Sequence, residues 1–135
     1  MKISIETEVK APLTVVWNAW VTPEDIACWN FATDEWCCPR AKVDLEVGGK
    51  FSYRMEEKIG SMGFDFEGTF TRVEPFENIH FKLDDNRIVI IEFVETANSV
   101  RVIETFDVED ENSAEQQKQG WQSILNNFKQ HVEKK

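Results

Sequence analysis

Positive charge is scarce in this chain: 15 lysines and arginines stand against 25 aspartates and glutamates, a formal net charge of −10. Nucleic acid and anionic lipid both need a basic footprint, so neither is an expected partner. The acidity reads most simply as a device of solubility. No apolar run approaches the ~20 residues that cross a bilayer as a helix, so membrane insertion is not expected. The opening Met1-Lys2-Ile3-Ser4-Ile5-Glu6 lacks the apolar core of a secretory signal, and a cytoplasmic location is the expectation. Cysteine is confined to Cys28, Cys37 and Cys38, an odd number without framework spacing, which reads as reduced thiols. The adjacent pair is no C-x-x-C motif, and His80 and His131 lie far apart, so no metal site is expected. Around Trp36-Cys37-Cys38-Pro39 no neighbouring base is available to activate a thiol. Gly60-Ser61-Met62-Gly63 lacks the lysine and spacing of a phosphate cradle, and no cofactor is implied.

What is present is enough for one domain over residues 1–135. A chain of this length buries roughly two-thirds of its unfolded surface, so a core forms without disulfides or metals. Ile3, Ile5, Thr7 and Val9 alternate with polar partners, the mark of a half-buried strand. Pro12 opens a short helix that places Val16, Ala19 and Trp20 on one face, and Thr22-Pro23-Glu24-Asp25 caps and starts a second. Residues 30–41 show no clean period and read as a packed loop. From 42 to 107 six runs alternate, separated by Gly48-Gly49, Gly60 to Gly63, Pro75, Asp84-Asp85-Asn86 and Ala97-Asn98. Ser113-Ala114-Glu115-Gln116 is a capping-box pattern. Behind it Trp121, Ile124, Leu125, Phe128 and Val132 recur at helical spacing, with Lys118, Gln122 and Lys129 on the wetter side.

Strands linked by short turns imply an antiparallel meander, and its apolar face needs a cover. The C-terminal helix is the one large cover available. The expected fold is therefore α+β, of helix-grip type. About seven strands in the order β-α-α-β6-α form a curved antiparallel sheet wrapped around the long last helix. A sheet curled in this way leaves space that one layer of side chains need not fill.

Several segments carry a family likeness. They are the Pro12-to-Trp20 helix, Asp44-Leu45-Glu46-Val47-Gly48-Gly49-Lys50-Phe51, Gly63-Phe64-Asp65-Phe66-Glu67-Gly68, and the ending from Asn112 through Gly120-Trp121 to Lys129. With them the chain resembles, over nearly its whole length, the SRPBCC superfamily of START-like or birch-pollen-allergen-like helix-grip proteins. Within it the likeness is to bacterial homologues of the activator of the heat-shock protein 90 ATPase, the AHSA1-like domains. The resemblance implies a cavity for lipid-like, polyketide-like or aromatic ligands. Some superfamily members are cyclases or hydrolases; many only bind or carry.

The resulting expectation is non-catalytic binding of a hydrophobic, ring-containing small molecule. Phe51, Tyr53, Phe64, Phe66 and Phe81 are expected as sheet-side walls. Trp121, Leu125 and Phe128 are expected on the helix, with Trp29 and Trp36 at the entrance. Tyr53 supplies a polar contact. An enzyme using a carboxyl in the same cavity is the rival, and a co-chaperone-like module with an exterior protein partner is the third reading. Glu104 alternates with Val102 and Phe106 and so shares their inward phase. Buried acids are rare, so the expectation is that twist or a bulge turns Glu104 to solvent, or that Arg54 or Arg101 pairs with it. No catalytic residue is assigned.

Overall fold

Alternation becomes geometry in a computed structural model that describes residues 1–135. The elements are β1 (Lys2–Val9), α1 (Leu13–Val21), α2 (Pro23–Trp29), β2 (Trp36–Val43), β3 (Lys50–Glu57), β4 (Gly63–Glu74), β5 (Asn78–Leu83), β6 (Ile88–Glu95), β7 (Val100–Asp107) and α3 (Ala114–Glu133). The strands form one antiparallel sheet in the order β1-β7-β6-β5-β4-β3-β2. It curls into a half-barrel, and α3 lies across the concave face while α1 and α2 close one end. The α+β helix-grip expectation holds.

Because side chains alternate along a strand, each strand gives one row to the concave side. Those rows include Ile5 and Val9 from β1, Val100, Val102 and Phe106 from β7, and Val89, Ile91 and Phe93 from β6, all buried. On α3 the buried stripe is Leu125, Phe128 and Val132. Three core positions of α3 spaced by three or four residues are what a helix needs to seat on a sheet.

Both ends of α3 are fixed. The Gln116 backbone N–H donates to Ser113 Oγ at 3.1 Å, and the Ser113 N–H donates to Gln116 Oε1 at 3.4 Å, closing the capping box. At the other end Asp25 of α2 meets His131 Nε2 at 2.7 Å and Lys135 Nζ at 2.8 Å. Burial pushes the Asp25 carboxyl up, but hydrogen bonds from Lys135 and His131 outweigh it and hold that carboxyl below its ordinary range.

Two local expectations are corrected. Residues 36–43 are not loop but the strand β2, whose period is hidden by a register break between Cys37 and Arg40. Pro39 is tolerated there because β2 is an edge strand. The strand also stops at Val43, before Leu45 and Val47, because the chain turns at Gly48, where φ is +86°. At Gly49 a Cβ would lie 2.1 Å from the Asp44 carbonyl oxygen, so only glycine fits the turn. Thr22 does occupy the N-cap of α2, but its side chain makes no capping bond. No helix is long and apolar enough to cross a membrane.

Candidate functional site

Between the concave face and the first half of α3 the side chains do not meet, and a cavity of about 250 Å³ remains. Its position follows from the helix stripe. Phe128 packs on Trp20 of α1 and Trp29 of α2 and Leu125 is buried, whereas Trp121 and Ile124, one turn earlier, stay partly accessible and border the cavity. Trp121 is held by stacking on Phe106 of β7, with ring centroids 4.1 Å apart and planes within 7°. Phe66 of β4 approaches the same indole edge-on at 6.1 Å.

Of the expected site residues, Trp29, Tyr53, Phe64, Phe66, Phe81 and Trp121 line this space together. Trp29 is not at an entrance. It is 3% exposed, and its indole N–H donates to the Ala19 carbonyl at 3.0 Å, which fixes the ring. Phe64 is 48% exposed and marks the side where the cavity meets solvent.

The other four lie outside the wall. Phe51 is buried one layer down, against Tyr53, Phe70 and Phe81. Its ring fits there because the facing position on β4 is Gly68, whose missing Cβ would sit 2.8 Å from Phe51 Cε1. Leu125 is sealed in the core. Phe128 is wedged between Trp20 and Trp29, with centroids at 4.8 and 4.9 Å. Trp36 packs on the outer end of Phe64 at 6.0 Å.

Six lining residues were not among the expected set: Trp20, Asn30, Met55, Arg87, Glu104 and Ile124. Met55 and Arg87 were readable in principle, since they continue the inward phases of Phe51-Tyr53 and Val89-Ile91. Asn30 gives no periodic signal, because it caps the end of α2. Its Nδ2 is buried without a hydrogen-bond partner. The Cys38 thiol donates to the Arg40 carbonyl, and the Asn30 side chain lies within its reach.

Glu104 is the main correction. It faces inward and lines the cavity with 7% of its surface exposed. Its cross-strand neighbours are Ile5 on β1 and Ile91 on β6, and along β7 it sits between Val102 and Phe106. Neither arginine expected to pair with it does so: Arg54 bonds Glu56 and Asp65, and Arg101 bonds Glu6. With burial alone acting on it, the carboxyl is pushed up to about 8. Tyr53 borders the same space. Burial first, then negative charge at Cys38 and Glu104, pushes its phenol well above the ordinary value. The cavity thus offers aromatic walls, one uncharged acid at neutral pH and one phenol. Arg87 stands at its margin, tied to Asp85 at 2.8 Å. Elsewhere no three His, Cys, Asp or Glu side chains converge as a metal would require.

The family model described as Activator of Hsp90 ATPase homolog 1-like protein matches residues 10–133. The chain belongs to this family. Among solved structures, the AHSA1-like protein of Aeromonas hydrophila is 47% identical, with a TM-score of 0.93 over 98% of this chain and 92% of that one. A protein of Cytophaga hutchinsonii is 41% identical, with a TM-score of 0.85 over the same shares. A protein of Chromobacterium violaceum, 22% identical over 98% of each chain with a TM-score of 0.86, shares the fold. None of the curated proteins matches. The AHSA1-like fold is consistent with ligand binding, and the family name by itself specifies neither ligand nor partner for this member.

Proposed function

We propose that this AHSA1-like protein binds a hydrophobic, ring-containing small molecule in the cavity between the sheet and α3. The observation that carries the reading is the wall itself: Trp121, Phe66, Phe81 and Tyr53 border unfilled space. Ligand sites are concave and mostly apolar, with a few polar groups that set orientation. An engineered apolar cavity of about 150 Å³ in another protein accepts benzene, so this larger space suits a ligand of about two fused rings. A cytoplasmic location and the absence of a nucleic-acid partner fit the acidic surface and belong to the same proposal.

Native mass spectrometry of the freshly purified protein tests it. The wild type is expected to retain a small apolar molecule, and Phe66→Asp, which puts a charge on the wall, is expected to lose it. A co-purifying molecule held equally by stably folded Phe66→Asp places binding elsewhere. The exterior changes Glu67→Gln and Glu115→Gln should retain the ligand.

One observation favours a second reading, acid–base catalysis in the same cavity. Glu104 and Tyr53 are both titratable and both face it, and a carboxyl shifted to near neutrality suits proton transfer. The two readings separate in one comparison. Under binding alone, wild type and Glu104→Gln carry a molecule of the same mass. Under catalysis, the variant accumulates a precursor of different mass. The exposed side chains of Ile59, Met62 and Phe64 on the β3–β4 hairpin are the surface that a protein partner would use.

A further inference from the structure

Glu104 is a carboxyl on an apolar wall with no internal partner, and such a group is expensive to keep. Its neighbours make the expense specific. Ile5 and Ile91 flank it across the sheet, so neither adjacent strand offers a donor or a charge. Core packing gains nothing from an acid here, since a leucine or glutamine would fill similar space. The polar group is instead presented to the unfilled side, where Tyr53 and Asn30 also border.

We infer that the cavity selects an uncharged aromatic ligand bearing a carbonyl oxygen, which the Glu104 carboxyl orients as hydrogen-bond donor. This rests on the binding proposal above and adds the class of ligand to it. A protonated carboxyl has one O–H to give, and the Tyr53 hydroxyl is a second donor in the same space. A ligand carbonyl accepts both, whereas a hydrocarbon leaves both unused. A ligand amine would instead need the carboxylate.

The groups around Glu104 allow its protonation to be isolated. β1 and β6 face it with Ile5 and Ile91, α2 brings Trp29 and Asn30, and α3 brings Trp121 and Ile124. The titratable or charged groups are Tyr53 of β3, Cys38 of β2 beside it, and Arg87 just before β6. Tyr53 and Cys38 are both pushed above their ordinary values by burial. Glu104, at about 8, is the cavity group that changes charge between pH 6 and 9.

Calorimetric titration with three probes of one shape tests the inference: 2-acetylnaphthalene, 2-isopropylnaphthalene and 1-(2-naphthyl)ethylamine. At pH 6 the ketone should bind the wild type about tenfold more tightly than the hydrocarbon, the scale of one good hydrogen bond. Between pH 6 and pH 9 its affinity should fall about tenfold, because only about a tenth of the carboxyl remains protonated. Glu104→Gln keeps an N–H donor and should keep the preference while losing the pH dependence. Glu104→Leu should shrink the preference for the ketone to what the Tyr53 hydroxyl alone supplies, and the double variant Glu104→Leu/Tyr53→Phe should bind both neutral probes with equal affinity. Equal binding of ketone and hydrocarbon by the wild type at pH 6, or a preference undiminished by Glu104→Leu, overturns the inference and leaves the cavity proposal standing. Tighter binding of the amine than of the ketone also overturns it. Failure of all three probes to bind overturns the cavity proposal and the inference together.

Discussion

Replacing Glu104 with glutamine should stabilise the protein, and by an amount that grows with pH. The carboxyl titrates near its ordinary 4.5 in the unfolded chain and near 8 in the folded one. A carboxyl raised by folding imposes no penalty below the lower value, where both states hold the proton. As pH rises through this window the unfolded chain releases its proton first, so stability is lost at about 1.4 kcal/mol per pH unit. The loss totals about 5 kcal/mol once both states are ionised, and about 4 kcal/mol of it falls between pH 5 and pH 9. Because Glu104 is buried with 7% exposure, solvent screening does not erase it. Glutamine has nearly the same shape and does not titrate. Its own cost or gain is a constant offset, and the other 24 acids titrate alike in both proteins. Urea unfolding of both at pH 5, 6, 7, 8 and 9 therefore gives a difference curve that isolates this group. The expected curve rises steeply from pH 5 to about 8 and flattens above. A flat difference across the range would show that Glu104 is solvated or paired when ionised, and the argument for an uncharged donor would fall with it.

Phe128→Ala should cost about 3–5 kcal/mol in urea unfolding at pH 7, since the ring is fully buried between Trp20 and Trp29. Ser113→Ala removes one arm of the capping box and should cost about 1 kcal/mol, with faster amide hydrogen exchange confined to the first turn of α3.

How far the sequence reached differs between fold and site. Strand phase from β3 to β7 and the stripe of α3 were legible because each apolar face is buried along its whole length, which enforces the period. β2 was not, because its bulge and Pro39 break that period on an edge where the backbone tolerates it. In the site, the inward aromatics of β3, β4 and β5 were legible as a row, but not which of them face empty space. Phe51 and Phe66 share one phase, yet Gly68 lets Phe51 sink beneath the wall while Phe66 stays on it. On α3 the same stripe supplies a dry half at Leu125 and Phe128 and a cavity half at Trp121 and Ile124. That division depends on where α1 and α2 close the barrel, which no local pattern encodes. Glu104 is the instructive residue. Alternation alone placed it inward, and the rarity of buried acids argued it outward; here the local pattern was the better guide.

The central claim is that ligands enter the space under α3, and a heteronuclear NMR titration with naphthalene tests it most directly. The account predicts saturable one-to-one shifts of the Trp121 indole N–H and the Ile124 methyls, with the exposed Ile59 and Met62 methyls unmoved. Shifts confined to Ile59 and Met62, or none at any naphthalene concentration, would contradict it.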